Sequence, residues 1–341
     1  MKKENIKNLT QEELRKKIIA LREPAYRSDQ ILSWLYVKGV KNFAQMSNLT
    51  PELQKKLATS FYISELELAE RLISDDGTQK FLFKLEDDNF VETVLIKATG
   101  RETVCVSTQV GCKFACKFCA SGKKGFIRNL KPSEITGQII YLKHKLKFHV
   151  TNIVFMGMGE PLDNYFNTLE AVKIINDEKC LNIAARRITI STCGITPAIK
   201  KLKNLNLQIN LSISLHAADD KLRSSLMPVN KKYPLKKLIS EVQSYFEVTN
   251  RKITLEYILI KSINDSKKDA EGLARIAHQL KATINLIPCH DVAGKNLIAP
   301  NKDIIDRFVK YLRCLKANVT LRASKGTDIS GACGQLAGKK E

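Results

Sequence analysis

Between positions 101 and 322, short apolar runs typical of β-strands alternate with longer amphipathic runs typical of helices. The strand-like runs are 104–108, 152–155, 188–192, 209–215, 253–260, 284–288 and 319–322, and the helix-like runs are 134–147, 167–177, 235–248, 270–281 and 304–316. Strands separated by helical crossovers pair in parallel, so this region is predicted to form an α/β fold. The alternation allows an open doubly wound sheet or a barrel, complete or partial, and the absence of a fixed-period repeat argues against a solenoid.

The first hundred residues follow a different pattern. Apolar residues recur at helical spacing across 10–68, which predicts three short helices. Two strand-like runs, 80–85 and 91–96, then flank Asp87-Asp88-Asn89, which is typical of a hairpin turn. The predicted divisions are a helical accessory domain at 1–68, a β-hairpin segment at 69–100, the strand–helix region at 101–325 and a Gly-rich C-terminal segment at 326–341.

The 341 residues carry a formal net charge of +21. This excess favours a polyanionic partner such as RNA or DNA, because lysine and arginine contact phosphates and release their counterions. A Lys-rich proteome is the alternative explanation. The first eight residues are charged and lack an apolar segment, and no window of the sequence has the length and apolar character of a membrane span. A cytoplasmic protein without membrane association is therefore expected.

Three of the nine cysteines lie within eight residues, in the stretch Cys112-Lys113-Phe114-Ala115-Cys116-Lys117-Phe118-Cys119. Positions 103–133 contain six Lys or Arg and no Asp or Glu, and nearby positive charge favours thiolates, which bind zinc or iron–sulfur clusters. A closed zinc site or a fully Cys-ligated four-iron cluster needs a fourth ligand, so the triplet predicts a cluster with one iron open to another ligand. Buried inert cysteines, or a zinc loop with a distant fourth ligand, are the alternatives.

Small polar residues follow most of the predicted strands. In a parallel βα barrel, active-site residues lie at the carboxyl ends of the strands, so these positions are expected to converge on one pocket. They are the cysteine stretch, Gly157-Met158-Gly159-Glu160-Pro161, Ser191-Thr192-Cys193-Gly194, Ser214-Leu215-His216 and, on the sixth strand, Asn285. The glycines would let the backbone approach a ligand closely, and Glu160 could accept hydrogen bonds from an ammonium group. Taken singly, these residues also fit ordinary turns, helix caps or buried hydrogen-bonding positions.

An odd number of cysteines in a long chain without a secretion signal favours metal or catalytic use over a disulfide framework. Cys105 lies on the strand that leads into the cysteine stretch. Cys333 lies in the glycine-flanked run Gly331-Ala332-Cys333-Gly334-Gln335, where a reactive role is expected. Glu92, on the predicted hairpin, is either an inward-facing base or an ordinary surface residue. The remaining cysteines are expected to serve packing; they are Cys180, Cys193, Cys289 and Cys314.

Five separate motifs occur in order along nearly the whole chain. They are Phe155-Met156-Gly157-Met158-Gly159-Glu160-Pro161-Leu162, Ile190-Ser191-Thr192, Ser214-Leu215-His216, Asn285-Leu286-Ile287-Pro288 and Asp328-Ile329-Ser330-Gly331-Ala332-Cys333-Gly334-Gln335-Leu336. The cysteine triplet resembles the cluster motif of radical S-adenosylmethionine (SAM) enzymes, and the whole set resembles the radical SAM adenine methyltransferases of RNA, the RlmN/Cfr family. The resemblance implies a helical N-terminal domain, a short β-hairpin segment and a TIM-like partial (βα)6 barrel.

The resemblance also implies roles for individual residues. Cys112, Cys116 and Cys119 would hold a [4Fe-4S] cluster, and SAM would bind its open iron and contact Gly159, Glu160, Ser191, Ser214, Leu215, His216 and Asn285. Two SAM would be used per turnover: one would methylate Cys333, and the other would give a 5′-deoxyadenosyl radical that activates this methyl group for addition to carbon 2 of adenine. Cys105 would release the protein–RNA adduct by forming a disulfide with Cys333. Glu92 would remove the carbon-2 proton.

The substrates expected from the family are an adenosine in the peptidyl-transferase region of 23S rRNA and the adenosine 3′ to the anticodon of some tRNAs. The expected electron donor is a flavodoxin or ferredoxin, and the expected state is a monomer. Candidate phosphate contacts near the expected barrel mouth are Arg128, Lys131, Arg186 and Arg187.

Pro161, Pro288 and the Gln-Leu-Ala-Gly run resemble the carbon-2 enzymes of the family. Cys289 and His290 replace the Trp and Asn usual in those enzymes, which puts the substrate-side shape of that loop in question. The alternatives are a carbon-8 methyltransferase of the Cfr type, another radical SAM enzyme, which would need neither Cys105 nor Cys333, and a non-catalytic iron–sulfur or zinc protein that binds RNA.

Overall fold

The computed structural model describes residues 3–123, 125–290 and 297–338. The outermost positions of two predicted divisions, 1–2 of the accessory domain and 339–341 of the C-terminal segment, lie outside the described residues. Among the residues that the structure describes, none of the helices combines the length and the apolar character needed to cross a lipid bilayer.

Three short helices form the N-terminal region, as predicted. They are α1 (Gln11–Ala20), α2 (Arg27–Leu32), which continues into a π-helical turn at Ser33–Lys38, and α3 (Pro51–Ser60). Thr10 starts α1 with a capping box, in which its hydroxyl accepts from the Glu13 N–H and its own N–H donates to the Glu13 carboxylate. Strands β1 (Glu4–Asn5) and β2 (Phe61–Tyr62) pair in parallel and bring the two ends of this region together.

The rest of the chain is organised on a ten-stranded sheet and a small two-stranded one. The strands are β3 (Glu67–Ile73), β4 (Gln79–Lys84), β5 (Phe90–Ala98), β6 (Arg101–Cys105), β7 (Gln109–Gly111), β8 (Phe126–Asn129), β9 (Asn152–Phe155), β10 (Ile188–Thr192), β11 (Asn210–Ser214), β12 (Ile253–Leu259), β13 (Thr283–Pro288) and β14 (Val319–Leu321). The helices are α4 (Pro132–Ile140, continued by a π-helical turn at Tyr141–Lys145), α5 (Tyr165–Asn176), α6 (Thr196–Leu202), α7 (Asp220–Leu226), α8 (Leu235–Thr249), α9 (Lys267–Gln279) and α10 (Lys302–Cys314).

The order of the parallel strands decides between the two predicted architectures. Strands β6, β9, β10, β11, β12, β13 and β14 are parallel and lie side by side in chain order. A doubly wound sheet reverses its strand order part-way, whereas a barrel does not. Among the described residues β6 and β14 do not pair, so the barrel is partial, with six strand–helix units followed by a seventh strand. The predicted partial barrel is confirmed.

The predicted hairpin is present as β4 and β5, and it belongs to the same sheet as the barrel. Strands β3, β4 and β5 are antiparallel and join the barrel through the pairing of β5 with β6. Strand β3 escaped the sequence analysis because it is half-exposed and carries Glu67, Glu70 and Arg71 among its apolar residues. The first barrel strand was predicted at 104–108 and is found at 101–105, because its charged first residues hid its beginning.

Burial explains why the barrel strands were readable from sequence. Ile190, Ile213, Leu255 and Ile284 are fully or almost fully inaccessible to solvent, as expected for parallel strands covered by helices on one face. The helices present apolar stripes to the sheet, for example Ala270, Leu273, Ala274 and Ala277 of α9. Helices α6 and α7 were not predicted, because seven residues are too few to show a clear helical period.

Candidate active site

The carboxyl ends of the barrel strands surround a first cavity with about 810 Å³ of atom-free space, including its open mouth. Its walls include most of the predicted site residues: Cys112, Cys116, Cys119, Gly159, Glu160, Ser191, Ser214, His216 and Cys333. The predicted convergence of strand ends on one pocket is therefore observed. Leu215 and Asn285 stand outside the lining formed by the described residues and contribute through neighbouring groups.

The cysteine stretch forms the loop between β7 and β8. The Cys112 N–H donates to the Gly125 carbonyl at 3.0 Å, which closes the base of the loop. The Lys117 N–H donates to the Leu226 carbonyl at 2.9 Å, and the Ala120 N–H donates to the Gly334 carbonyl at 2.7 Å. The loop is thus fastened to the end of α7 and to the residue that follows Cys333.

The thiols of this loop lie close enough together to influence one another electrostatically. Burial raises the pKa of the Cys112 thiol to about 12, and burial followed by the Cys119 and Cys112 thiols raises the pKa of Cys116 further. No three His, Cys, Asp or Glu side chains in the described part of the chain converge on a point that would hold a single metal ion. Three thiols on one loop are the soft donor set that an iron–sulfur cluster uses, with one iron left for another ligand.

Gly157 and Gly159 are required by backbone packing. A Cβ at Gly157 would come within 2.7 Å of the Val106 carbonyl carbon, and Gly159 has a φ of +94° beside Gln109. Close approach to a ligand is therefore not needed to explain either glycine. This close packing of the two glycines places Glu160 in the cavity wall.

Glu160 is buried and its carboxylate is held by backbone donors. Its Oε1 accepts from the Leu162 N–H at 3.0 Å and its Oε2 accepts from the Cys193 N–H at 2.7 Å. Burial raises the pKa of Glu160, while these N–H groups act in the opposite direction. A carboxyl group fixed in this way has lone pairs left for a ligand ammonium group.

Ser191 and Ser214 come from the neighbouring strands β10 and β11, and their hydroxyl oxygens are 3.4 Å apart. His216 follows β11 in a left-handed conformation with a φ of +57°. Its Nδ1 accepts from the Ile258 N–H at 3.0 Å, and its ring packs edge-on against Phe118 at a centroid distance of 4.6 Å. Burial, with a smaller effect of Arg223, lowers the pKa of His216 to about 3, so the ring is neutral with its proton on Nε2.

Arg223 is a fully buried residue of α7 that the sequence analysis missed. Its guanidinium donates to the carbonyls of Leu215, Cys193 and Ser214 at 2.8–3.0 Å and to the Asn230 side chain at 2.7 Å. These hydrogen bonds fix the carboxyl ends of β10 and β11. Leu215 contributes to the site through its backbone carbonyl, which accepts one of them. The sequence Asp220-Lys221-Leu222-Arg223 is that of an ordinary surface helix, so no sequence signal marked this arginine.

Glu256 is a second site residue that was missed. It lines the first cavity from β12, and its Oε2 accepts from the Asn285 amide at 2.7 Å. Burial raises the pKa of Glu256. Asn285 therefore acts on the cavity through this carboxyl group. A glutamate within an otherwise apolar strand was the signal that could have identified it.

A second cavity adjoins the first. It is lined from β5, β6 and β9 on one side and by residues 322–325, which follow β14, on the other. It therefore lies at the gap between the first and last parallel strands. Cys105 lines the second cavity but not the first. Four residues line both cavities, namely Cys333, Arg322, Met156 and Ile287.

The two isolated cysteines are close enough to influence each other. Burial, followed by the Cys333 thiol, raises the pKa of Cys105 to about 12. Arg322 lies beside both thiols and Glu256, and the Cys333 thiol is the largest influence in raising the pKa of this arginine. His290, one of the two departures from the family pattern, also lines the second cavity, where burial and Arg322 lower its pKa.

Glu92 is buried on β5 but lies outside the linings that the described residues give to the two cavities. Its Oε2 accepts from the N–H groups of Ala337 and Gly338 at 2.6 and 2.7 Å. Its Oε1 is 3.4 Å from Nζ of Lys80, and both side chains are buried. The reading of Glu92 as an ordinary surface residue is wrong.

Two expectations about other residues need correction. Arg186 and Arg187 precede β10, so they lie at the amino ends of the strands, opposite the cavity. The Arg128 guanidinium donates to Asp87 at 2.6 Å and to both carboxylate oxygens of Glu134 at 2.8 Å, so it is already paired with carboxylates. Lys131, at the start of α4, is exposed. Among the cysteines assigned to packing, Cys180, Cys193 and Cys289 are buried, and Cys193 also lines the first cavity, whereas Cys314 is exposed at the end of α10.

Comparison with known proteins decides the family. Residues 106–274 match the Radical SAM superfamily, and residues 4–63 match the Ribosomal RNA large subunit methyltransferase N-terminal domain. The chain is 43% identical over 333 residues, 97% of each protein, to a probable dual-specificity RNA methyltransferase RlmN of Clostridium novyi (strain NT). It is 44% identical over 337 residues, 98% of this chain and 91% of the relative, to the dual-specificity RNA methyltransferase RlmN of Desulfosudis oleivorans. The chain belongs to the RlmN family.

The fold agrees with this membership. The crystal structure of a radical SAM methyltransferase from Sphaerobacter thermophilus superposes with a TM-score of 0.93 at 40% identity, covering 98% of this chain and 100% of that one. Membership of the radical SAM superfamily implies a [4Fe-4S] cluster and SAM as cofactors. In this RlmN-family chain, strands β3–β5 and the residues around Cys333 fall outside both matched regions, 4–63 and 106–274.

Proposed function

We propose that this chain methylates carbon 2 of adenine in RNA, with the peptidyl-transferase region of 23S rRNA and the adenosine 3′ to the anticodon of some tRNAs as substrates. The observation that carries the proposal is the position of Cys333 in the wall between two cavities. A thiol placed there can receive a methyl group from one side and present it to a base on the other. The relatives named as dual-specificity RNA methyltransferases support the choice of substrates.

The first cavity would hold the cofactors. Cys112, Cys116 and Cys119 would ligate the cluster, and SAM would be contacted by Gly159, Glu160, Ser191, Ser214, His216 and, through the groups described above, Leu215 and Asn285. Glu160 would accept from the SAM amino group, since its buried carboxylate is already oriented by two N–H donors. When bound, the cluster and two SAM per turnover would supply the methyl group and the radical chemistry that activates it.

The second cavity would hold the adenine. Its lining includes Val94, Ile96 and Val154 as apolar walls and Arg101, Arg322 and Lys325 as cations, with no Asp or Glu among the described lining residues. Such a surface suits a planar base attached to a phosphate backbone. Cys105 lies in this cavity, where the base would be attached to Cys333.

Cys105 would release the product. Its sulfur would form a disulfide with Cys333 as the carbon–sulfur bond of the adduct breaks, and the methylene carbon would keep the electron pair and take up a proton. The thiol must first lose its own proton, and the nearby Arg322 guanidinium favours the thiolate that forms. Glu92 would act as the base that removes the carbon-2 proton. A flavodoxin or ferredoxin would supply electrons to a monomeric, cytoplasmic enzyme.

Mass spectrometry of 23S rRNA and tRNA from cells that lack this protein tests the proposal. We expect 2-methyladenosine to disappear and to return with the wild-type gene but not with Cys333→Ala. Retention of 2-methyladenosine without the protein would refute the substrate assignment. Appearance of 8-methyladenosine with the wild-type gene would show that the carbon-8 alternative is correct.

A further inference from the structure

The residues around Cys333 are held by parts of the chain that are remote in sequence. We call residues 326–338 the Cys333 segment. Its start is fastened to the β3–β4 turn: the Ser74 hydroxyl donates to Asp328 at 2.6 Å, and the Gly326 N–H donates to Asp76 at 2.9 Å. Its middle is fastened to the cysteine loop through Gly334, described above, and through the Ser121 hydroxyl, which donates to the Leu336 carbonyl at 2.8 Å.

The far end of this segment is fastened to Glu92. Both N–H groups that follow Leu336, those of Ala337 and Gly338, donate to the same carboxylate oxygen of Glu92. Hydrogen bonds to an ionised acceptor are shorter and stronger than neutral ones. The other carboxylate oxygen faces Lys80, which lies diagonally across from Glu92 on β4, so the buried negative charge is balanced.

The register of β5 connects this anchor with the second cavity. Glu92 lies on the same face of the strand as Val94 and Ile96, which line the cavity, and Leu336 lines it from the opposite side. Glu92 lies two residues before Val94, just outside the cavity lining. The anchor therefore holds the Cys333 segment at the edge of the second cavity. Moving the segment away would expose the Glu92 carboxylate to this edge.

We propose that Glu92 is a positioning residue, which, paired with Lys80, anchors the Cys333 segment and so keeps the Cys333 thiol in the wall between the two cavities. Glu92 can contact the substrate only after the segment has left it, so anchoring and proton removal belong to different stages of the reaction. The inference rests on the proposed function in one respect, the role of Cys333 as methyl carrier. The anchoring itself is independent of RNA and of cofactors.

Two substitutions separate reach from charge at this position. Glu92→Gln keeps an oxygen at the same distance from the backbone but loses the charge, whereas Glu92→Asp keeps the charge but is one methylene shorter. Anchoring predicts that the amides of Ala337 and Gly338 exchange hydrogen at least about tenfold faster than in wild type in both variants, because Glu92→Gln loses the charge that strengthens these hydrogen bonds and balances Lys80, and Glu92→Asp loses the reach. The alkylation of Cys333 by iodoacetamide is expected to be faster in both variants as well.

Hydrogen exchange and alkylation are measured by mass spectrometry on the full chain without RNA or SAM. Glu102→Gln is the matched control, because Glu102 is a partly buried glutamate on the neighbouring strand whose oxygen lies 3.9 Å from Lys97. Circular dichroism establishes that each variant is folded. Wild-type exchange and alkylation in Glu92→Gln or Glu92→Asp, or equally fast exchange in the control Glu102→Gln, would overturn the proposal.

The outcome is distinguishable from failure of the proposed function. If Glu92 acts solely as a base, neither substitution changes amide exchange, although both reduce methylation of RNA. If the chain does not methylate RNA at all, the anchor still predicts faster amide exchange in Glu92→Gln and Glu92→Asp than in Glu102→Gln. In the active enzyme, anchoring further predicts that both Glu92→Gln and Glu92→Asp acquire a methyl group on Cys333 more slowly than wild type and Glu102→Gln.

Discussion

The two cavities share part of one wall, yet their separate linings differ in chemistry. The first presents the three thiols of the cysteine stretch and two buried carboxyl groups, Glu160 and Glu256. The second presents Arg101 and Lys325 and, among the described residues, no Asp or Glu. Thiols and carboxyl groups suit a metal cluster and an ammonium-bearing ligand, whereas cations beside apolar walls suit a nucleotide. In the proposed function, cofactor and RNA would therefore be recognised separately and would meet at the shared Cys333.

Removing the shared thiol should have the largest effect. We expect Cys333→Ala to lower the methylation of RNA by roughly 1,000-fold or more, because no other thiol among the described residues lines both cavities. Iron bound after anaerobic reconstitution should stay at the wild-type amount, since the three predicted ligands are unchanged. Cys314→Ala is the control, because this cysteine is exposed on α10. Methylation by Cys333→Ala at the level of the control would contradict the comparison.

Cys105→Ala changes the second cavity alone. We expect a covalent protein–RNA adduct to accumulate and released product to fall by about 100-fold, because the thiol that resolves the adduct is missing. Denaturing electrophoresis followed by mass spectrometry of nuclease-treated protein detects the adduct. Purified Cys105→Ala that carries no RNA after turnover would argue against separate roles for the two thiols.

His216 allows a test confined to the first cavity. Its pKa is lowered to about 3 in the folded chain from an ordinary value of 6.5, so below pH 6.5 the unfolded chain takes up a proton that the folded chain does not. Stability is therefore lost as the pH falls from about 6.5 towards 3, by about 2 kcal/mol between pH 7 and pH 5. His216→Asn should lack this part of the pH dependence in urea unfolding measurements. Equal pH dependence in both proteins would show that His216 titrates normally.

The smallest expected effect concerns the cations of the second cavity. Arg101→Gln should weaken RNA binding about threefold to tenfold at low salt and reduce the salt slope by about one, as for the loss of one phosphate contact. Fluorescence anisotropy with labelled RNA measures both quantities. Arg187→Gln, at the opposite ends of the strands, should bind RNA like wild type. A larger loss with Arg187→Gln would place the RNA on the other face of the barrel.

The sequence predicted the barrel strands well because the helix-covered face of each strand is buried, so apolar residues recur along it. The three N-terminal helices followed from helical spacing of apolar residues. Strand β3 was missed because it is half-exposed, and α6 and α7 were missed because they are short. The length and burial of an element, more than the types of its residues, determined whether it could be predicted from the sequence.

The candidate site was predictable where a residue's position along a strand determines its role. Glu160, Ser191, Ser214 and His216 follow strand ends and line the cavity as expected. Arg223 could not be predicted, because its importance comes from three carbonyl groups that only the folded chain brings together. The contacts of Glu92 depend in the same way on a segment 245 positions away.

The gap between β6 and β14 has a consequence for the order of events. A closed barrel offers ligands access from its ends, because its interior is packed with side chains. Here the second cavity lies at the open side, while the first opens at the strand ends. Because the two cavities open at different places, neither the cofactor nor the RNA has to leave before the other can bind. In the proposed reaction, which would use two SAM per turnover, a spent cofactor would be exchanged for a fresh one while the RNA stays attached.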